Sequence, residues 1–306
     1  MISDFAQGDN VTGFFVLTAA QVIPYDRGER LRLEFSDSSG KIEGIIWEDA
    51  ALVYNQIKDA EVVKVRGLVS TFRDKAQLKV EKMRPAKDGE YDLSELLKVV
   101  DGGIERQQEI FDEIAVTIEN EFLSELLRLL RNDAELFEKY TAAPAGKRFH
   151  HDYIGGLAQH SLSIASLADR VCKHYPLLDR DLLICGAIFH DIGKTYELTS
   201  GVKLDYTDEG RLVGHITLGD QIVVDYISEI PDFPEKLENK LRHLIASHHG
   251  ERQYGSPVVP LTREAYVLHL LDRIDSGLNV FDDYDQKRDS DWGGYVNLWE
   301  RYLYFG

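Results

Sequence analysis

In the first third of the chain, apolar and polar residues alternate over several short segments. Such alternation is typical of strands that bury one face. Turn-forming residues, among them Asp26-Arg27-Gly28 and Ser38-Ser39-Gly40, separate these segments. The pattern predicts one short helix, at Glu48–Ile57, and five strands, at Val11–Gln21, Arg30–Ser36, Lys41–Trp47, Glu61–Phe72 and Ala76–Met83.

The order of these elements, five strands with a helix between the third and the fourth, resembles the OB-fold. This small Greek-key barrel often binds single-stranded nucleic acid. We therefore assign residues 1–87 to an OB-fold nucleic-acid-binding domain. Asp88-Gly89-Glu90 follows as a predicted linker.

After the linker, apolar residues recur with the spacing of helices. We interpret residues 88–146 as a helical connector that packs on the last domain, and residues 147–306 as that domain. The predicted fold class is thus multidomain, an all-β OB-fold barrel followed by an all-α domain. Helices are predicted over Leu93–Val100, Ile104–Tyr140, Leu157–His174, Leu237–His249 and Pro260–Leu278, with others opening at Asp181 and at His215.

Two segments of the last domain have patterns of their own. Val202–Tyr206 and Arg211–Gly214 flank a turn sequence and are predicted to form a hairpin. Such a hairpin could be a wall of a cleft or a plain surface loop. Trp292–Phe305 places aromatic residues at helical spacing and predicts a C-terminal helix. Docking of that helix on its own domain is slightly favoured, with a homo-oligomer as the alternative.

The composition is that of a soluble globular protein, with 43% hydrophobic residues. No apolar run reaches the eighteen or so residues that a membrane-spanning helix needs, and Met1-Ile2-Ser3-Asp4 does not resemble a signal peptide. We therefore expect a cytoplasmic protein without a membrane partner. The two cysteines, Cys172 and Cys185, lie in apolar helical patterns and are expected to be reduced and buried.

The formal net charge of −18 argues against binding of nucleic acid by the whole surface. The charge is unevenly distributed, however. Residues 1–90 carry 13 Lys and Arg against 15 Asp and Glu, whereas the rest of the chain carries 22 against 38. The segment from Lys58 to Lys87 has nine basic and four acidic residues, so a local basic strip lies within the OB-like part.

Candidate contacts to single-stranded RNA or DNA lie in this strip and at the ends of the predicted strands. Lys64 and Arg66 face away from the apolar side of the fourth strand, and Arg73 follows its end. Trp47 and Phe72 are the favoured candidates for base stacking. The alternative for the basic strip is a solvated face without a ligand. The alternative for the aromatic residues is packing in the core of the barrel.

Histidines and aspartates recur on the buried sides of the predicted helices of the last domain. A single inward histidine is more often a core residue than a ligand, but seven inward nitrogen and oxygen donors without a cysteine suit Mn²⁺, Fe or Mg²⁺. They exceed the needs of one cation, so two cations are expected, with Mn²⁺ favoured. The predicted metal ligands are His160, His190, Asp191, His215, His248, His249 and Asp272.

We expect one cation on His160, His190, Asp191 and Asp272, and a second on His215, His248 and His249 with Asp191 bridging. Two cations about four ångströms apart activate a water and stabilise the leaving oxygen of a phosphoester. Asp275 competes with Asp272 as the last ligand but is expected to be more exposed, because Ser276 and Gly277 follow it. His174, His243 and His269 are interpreted as structural.

Further residues are candidates for contact with a substrate phosphate. Lys194 follows the His190-Asp191 pair and is a candidate catalytic contact, with a solvated cation near a helix end as the alternative. His150 and His151 precede a double glycine, and Arg211 lies on the predicted hairpin.

These motifs resemble those of HD-domain phosphohydrolases, which are defined by a first His, a His-Asp doublet and a late Asp. Further segments are similar to those of YhaM-type exoribonucleases, which place an OB-fold before an HD domain. The resemblance implies metal-dependent removal of nucleotides from the 3′ end of single-stranded RNA or DNA. The segments that carry it are Lys147-Arg148-Phe149-His150-His151, Gly155-Gly156-Leu157-Ala158-Gln159-His160, Gly214-His215-Ile216, Ser247-His248-His249-Gly250 and Gly255-Ser256-Pro257.

Two other functions remain open at this stage. One is an HD phosphohydrolase of mononucleotides or cyclic dinucleotides that uses the OB-like domain for regulation or assembly. The other is a catalytically inactive nucleic-acid-binding protein. The basic strip argues against the first, and the complete set of candidate ligands argues against the second.

Overall fold

The computed structural model describes residues 1–26, 28–73, 75–87, 89–146, 153–199, 201–202, 204–285 and 290–306. The chain divides into two compact units. The first comprises Met1–Val99 and a short later segment that includes Val202, and the second comprises Val100–Thr199 and Leu204–Gly306. We call them the barrel unit and the helical unit.

The barrel unit is a five-stranded closed barrel with strand order β1-β2-β3-β5-β4. Only β3 and β5 pair in parallel, and the other neighbours are antiparallel. The predicted OB arrangement is confirmed. Its elements are β1 (Asn10–Tyr25), β2 (Gly28–Asp37), β3 (Gly40–Ile46), α1 (Ala50–Ile57), β4 (Val62–Phe72) and β5 (Lys75–Pro85).

Period-two alternation gives the barrel its core. Leu31, Leu33 and Phe35 of β2 are almost completely buried, and Val63 and Val65 of β4 meet them from another strand. The residues between them face outward and are polar. The hydrophobic face therefore fixes the register of the strands, since a slip by one residue would expose these side chains.

The helical unit contains the remaining long helices around one hydrophobic core. Residues of α3, α4 and α5 share that core with residues of α6 and α7. The helices are α3 (Gly103–Ala115), α4 (Glu121–Asn132), α5 (Ala134–Ala142), α6 (Gly156–His174), α7 (Arg180–Phe189), α8 (Lys194–Glu197), α9 (Asp208–Leu212), α10 (His215–Ser228), α11 (Glu235–Ser247) and α12 (Arg263–Asp285); a single turn, α2 (Leu93–Leu96), belongs to the barrel unit.

The C-terminal segment is a β-hairpin, so the predicted aromatic helix is wrong. Strands β6 (Trp292–Val296) and β7 (Arg301–Tyr304) pair antiparallel, with a 3-10 turn between them. Val296 and Leu303 of the hairpin are buried against Val280 of α12. The aromatic residues have helical spacing, but pairing between the two strands and burial of Val296 and Leu303 override it.

The hairpin predicted before His215 is also wrong. Asp208–Leu212 forms the short helix α9, which Thr207 caps by accepting a hydrogen bond from the backbone N–H of Gly210. Among the described residues of this segment, strand-like pairing is limited to one bridge between Leu198 and Tyr206. A capping threonine followed by two acidic residues is a helix-start signal that outweighed the turn composition.

Cys172 and Cys185 are free and buried, as expected. Among the described residues, no helix combines the length and the apolarity that crossing a membrane requires.

Candidate metal centre

Five helices bring the predicted ligands together from distant parts of the chain. His160 lies on the buried face of α6, and His190 and Asp191 follow the end of α7. His215 is the first residue of α10, and His248 and His249 follow α11. Asp272 lies in the first half of α12. His160, His190, Asp191 and His248 are all at most 2% exposed.

Each of the five histidines has its Nδ1 atom beside an oxygen atom. His190 Nδ1 is 2.8 Å from the Ala187 carbonyl, and His248 Nδ1 is 2.7 Å from the Ile245 carbonyl. Because a carbonyl or a carboxylate accepts, Nδ1 carries the proton and donates it. In a neutral ring Nε2 is therefore left as an acceptor, the form in which imidazole binds a metal. His160 is the exception, because its raised pKa keeps both ring nitrogens protonated at pH 7, so it must lose the Nε2 proton before it can bind a metal. The remaining partners are Asp275 for His160, Glu197 for His215, and the Tyr254 carbonyl for His249.

Asp191 is the centre of this arrangement. Its Oδ2 lies 3.3 Å from His190 Nε2 and 3.7 Å from His160 Nε2. Its Oδ1 lies 3.5 Å from the Nε2 atoms of both His215 and His248. The two oxygens of one carboxylate thus face two different sets of imidazoles.

The candidate donors form two groups, and in each group the donor atoms lie within 4.8 Å of one another. His160, His190 and Asp272 form the first group, and His215, His248 and His249 form the second. These are the two sets that the sequence predicts, and Asp191 lies against members of both.

Several of the candidate donor atoms have no hydrogen-bond partner in the part of the chain that the structure describes, as expected for atoms that bind a cation. Among the described residues, His190 Nε2, His215 Nε2, His248 Nε2 and Asp191 Oδ1 are buried and accept or donate no hydrogen bond. A buried polar atom without a partner costs about 1–3 kcal/mol. Four such atoms in one place fit the needs of a divalent cation, and a set of imidazoles and carboxylates without cysteine suits a transition metal.

Burial and charge act in opposite directions on the ionisable groups here. Burial raises the pKa of Asp191, but the Lys194 ammonium and the neighbouring histidines outweigh it and hold that pKa well below its usual range. Burial lowers the pKa of His160, yet hydrogen bonds to Asp272 and Asp275 raise it to about 9. Burial lowers the pKa of His248 to about 4, so this ring is neutral at pH 7.

The structure separates the roles of Asp272 and Asp275. Asp272 Oδ1 is 3.2 Å from His160 Nε2, on the side of the metal-binding group. Asp275 lies on the opposite side of the ring, where its Oδ2 accepts from His160 Nδ1 at 2.7 Å. Asp275 is not the more exposed of the two, since its side chain is 11% exposed and that of Asp272 is 17% exposed. The sequence argument on exposure was therefore wrong.

Glu197 is a site residue that the sequence did not indicate. Its Oε1 accepts from both the backbone N–H and the Nδ1 of His215, each at 3.0 Å. It lies on the short helix α8, only three residues after Lys194. A buried glutamate in a four-residue helix has no periodic signal, so only the fold reveals it.

The structure excludes one of the two sequence interpretations of Lys194, the solvated cation, and the contact with a substrate phosphate stays a prediction. Its Nζ is 2.6 Å from Asp191 Oδ2, and its side chain is only 12% exposed. It is therefore a buried counter-ion of Asp191 and not a solvated cation. Arg211 is exposed and pairs with Asp205 at 2.8 Å. His150 and His151 lie outside the described residues.

On the barrel unit, the candidate stacking residues are exposed and accompanied by arginines. Trp47 is 43% exposed and lies edge-on to Tyr25, with the Arg30 guanidinium 5.5 Å from its ring. Phe72 is 56% exposed, and the Arg73 guanidinium lies 5.4 Å from its ring. Exposed aromatic rings beside cations are suited to stacking with bases.

The strand cations Lys64 and Arg66 are less available. Lys64 Nζ lies 4.9 Å from the ring of Phe14, and Arg66 pairs with Glu81 at 3.3 Å. Trp47 lies just after β3, near the β1–β2 turn, and Phe72 ends β4 before the β4–β5 turn. In OB-folds these turns flank the oligonucleotide-binding face, so the aromatic pair is the stronger candidate.

Comparison with known families agrees with this division. Residues 157–277 match the model of the HD domain family, and residues 16–86 match that of the tRNA anti-codon family, described as an OB-fold nucleic acid binding domain. The chain therefore joins an OB-fold to a helical HD domain. These domain types indicate nucleic-acid binding and metal-dependent phosphohydrolysis, respectively.

A solved structure of another OB-fold domain is among those similar to this chain. It is the solution NMR structure of the second OB-fold domain of replication protein A from Methanococcus maripaludis, with 18% identity over 30% of this chain and 97% of that chain and a TM-score of 0.25. A likeness this weak says nothing about function.

Proposed function

We propose that this protein is a metal-dependent exoribonuclease that removes nucleotides from the 3′ end of single-stranded RNA, with single-stranded DNA as a second substrate. The observation that carries the hydrolytic part is the convergence of four imidazoles on Asp191, with the ring of His249 beside two of them. All five rings have Nδ1 beside an oxygen. The choice of a polymer is supported by the OB-fold and its exposed aromatic residues. The 3′-to-5′ direction rests on the resemblance to YhaM-type exoribonucleases.

The proposed ligands are His160, His190, Asp191 and Asp272 for one cation, and His215, His248 and His249 with Asp191 for the other. Divalent cations bound there would lower the pKa of a water molecule and neutralise charge on the scissile phosphate. We favour Mn²⁺, because imidazole-rich sites suit transition metals better than Mg²⁺, which prefers oxygen ligands.

The protein itself contributes orientation and charge. Asp275 and Glu197 hold His160 and His215 through their Nδ1 atoms, so the rings are fixed before a metal arrives. Lys194 compensates the charge of Asp191 at 2.6 Å and also lines the adjoining cleft. We propose that it keeps Asp191 ionised, and its contact with the substrate phosphate stays a prediction.

The test is incubation of metal-stripped protein with Mn²⁺ and 5′-end-labelled single-stranded RNA. A ladder of products that shortens progressively from the 3′ end is the expected result. Hydrolysis of mononucleotides or cyclic dinucleotides without attack on the RNA would replace the proposal with a small-substrate phosphohydrolase. Binding of RNA without any hydrolysis would indicate the inactive binding protein.

The matched variants are Asp191→Asn and Asp282→Asn. Asp191→Asn should lower the rate more than about 100-fold, because even residues that only orient metal ligands are worth about 10- to 100-fold. Asp282 is an exposed aspartate on α12, and its replacement should leave the rate unchanged. Full activity and full metal content in Asp191→Asn would rule out the proposed site.

The barrel contribution is tested by RNA affinity. Trp47→Ala and Phe72→Ala should each weaken binding of a single-stranded oligonucleotide by about 1–3 kcal/mol, since each removes one stacking surface. Leu52→Ala is the control, because Leu52 is 60% exposed on α1 and is not aromatic. Fluorescence anisotropy with a labelled oligonucleotide measures all three, and unchanged affinity in both aromatic variants would contradict the assigned surface.

A further inference from the structure

A cleft of about 680 Å³ adjoins the candidate metal centre within the helical unit. Asp191, His249 and Asp272 line it, so it includes donors from both proposed metal groups. Its lining continues along α12 as far as Phe281. Phe281 is nine positions after Asp272 on this α-helix, which corresponds to a rise of about 13 Å. The cleft therefore extends away from the metal centre along one helix.

The far part of the cleft is aromatic and is completed by the C-terminal hairpin. Trp299, in the turn between β6 and β7, packs on Phe281 with a centroid distance of 5.5 Å. Trp299 is only partly buried and lines the cleft. The glycine at 277 leaves space in front of this ring, because a Cβ built there would lie 3.6 Å from Trp299 Cζ2.

Two arginines line the same cleft. Within the described part of the chain, Arg273 makes no hydrogen bond or ion pair, and Arg301 has no carboxylate partner. Arg301 is held in place because its Nε donates to the Trp299 carbonyl at 2.9 Å. Guanidinium groups without a carboxylate partner among the described residues, in a molecule with a net charge of −18, suit an anionic ligand.

We propose that this cleft binds the terminal nucleotide of the substrate, with the base against Trp299 and the phosphate between Arg273 and the metal centre. The inference rests on the proposed function, since it places the bond to be cut next to Asp191 and Asp272. A volume of about 680 Å³ is within the range of small-ligand pockets, so the cleft has room for a nucleotide.

The position of the cleft also gives the hairpin a function. A base stacked on Trp299 lies at the far end of the cleft from the scissile phosphate, so each cleavage would free the nucleotide held there. Because the base contact is with a π-face, it should depend little on the identity of the base. The cleft therefore fits an enzyme that shortens RNA of any sequence.

The test compares binding of AMP and ribose 5-phosphate by isothermal titration calorimetry, with Mn²⁺ present. The two ligands share the phosphate and the sugar and differ in the base. The intact protein should bind AMP more tightly by about fivefold to a hundredfold, the contribution expected from one stacked base. Trp299→Ala should abolish this preference while ribose 5-phosphate still binds.

Gly277→Leu is a second, independent variant, because it fills the space before Trp299 from α12. It should also abolish the AMP preference. Trp292→Ala is the control, since Trp292 lies on the same hairpin, is 57% exposed and does not line the cleft. The two substitutions lie on different elements, the hairpin and α12. If one variant fails to fold, the other therefore still tests the inference.

No AMP preference in the intact protein, or a preference that survives in both cleft variants, would overturn the inference. If RNA is shortened but the preference survives, the proposed function stands and the base site fails. If RNA is not cut but the preference depends on Trp299, the cleft is a nucleotide site and the polymer substrate fails.

Discussion

At the scale of single residues, the site depends on how its histidines are held. His160 receives a carboxylate on each ring nitrogen, Asp275 on Nδ1 and Asp272 near Nε2. The first carboxylate fixes the tautomer and the direction of the ring, and the second shares the ligand role. A metal must displace a proton from such a site, which makes binding sensitive to both carboxylates.

Asp275→Ala should weaken Mn²⁺ binding by about 10- to 100-fold, although it removes no proposed ligand. The reason is that His160 Nδ1 loses its acceptor and the ring loses its fixed orientation. Asp275→Asn should have a smaller effect, since its carbonyl oxygen can still accept from Nδ1. Calorimetric titration of metal-stripped protein with MnCl₂ measures the affinities.

Asp282→Ala is the control for this pair, because Asp282 is an exposed aspartate on the same helix. Its Mn²⁺ affinity should equal that of the unchanged protein. Equal affinity in Asp275→Ala would show that the Asp275 contact has no orienting role.

At the scale of elements, Gly193 sets how closely the segment after His190-Asp191 approaches α10. A Cβ at Gly193 would lie 2.0 Å from the His215 carbonyl oxygen and 2.6 Å from the Gly219 nitrogen. Both are backbone atoms at the start of α10, so a side chain there cannot be accommodated by a rotamer change. The glycine therefore lets the two proposed metal groups come together.

Gly193→Ala should lower the free energy of unfolding by about 1–3 kcal/mol, as expected for an overpacked contact. It should also reduce Mn²⁺ binding at the second group, because His215 is carried by the displaced start of α10. Thermal unfolding and the bound Mn²⁺ per chain are the measurements.

Gly277→Ala is the matched control, as its Cβ would make an ordinary contact of 3.6 Å inside α12. Replacing a helical glycine with alanine should leave stability unchanged or raise it by about 0.5–1 kcal/mol. A Gly193→Ala protein as stable as this control, with full metal content, would contradict the close-packing argument.

The elements that the sequence predicted correctly are those in which one face is buried. Leu31, Leu33 and Phe35 alternate in β2, and His160 lies on the apolar stripe of α6, so periodicity located both. The prediction failed in the C-terminal hairpin, where the buried residues are few and pack against another element. In the C-terminal hairpin, Trp292 and Tyr302 are exposed while Val296 and Leu303 are buried, a pattern that aromatic spacing alone did not reveal.

The residues that orient the ligands were harder to predict than the ligands themselves. Histidines and aspartates at buried helical positions stand out because burial of a charge needs a partner. Glu197 and Asp275 act through another side chain, so their role depends on three-dimensional contacts to His215 and His160. No spacing rule encodes those contacts.

At the scale of the whole molecule, the barrel unit and the helical unit differ in net charge and have separate hydrophobic cores. Residues 1–90 are nearly neutral, with 13 Lys and Arg against 15 Asp and Glu, whereas most of the net charge of −18 lies beyond them. The barrel core and the helical core are separate hydrophobic clusters. The proposed division of labour, RNA affinity in the barrel and hydrolysis in the helical unit, follows this separation.

Because each unit has its own core, we expect two thermal transitions by differential scanning calorimetry. Mn²⁺ should raise the transition temperature of the helical unit only. The added free energy of unfolding is about 2.7 kcal/mol when free Mn²⁺ is 100 times its dissociation constant. EDTA should reverse that shift. Leu33→Ala creates a cavity in the barrel core. It should lower the free energy of unfolding of the barrel unit alone, by about 2–5 kcal/mol, and so lower only the other transition temperature. A single transition that responds to both Mn²⁺ and Leu33→Ala would instead mean that the two cores unfold as one cooperative unit.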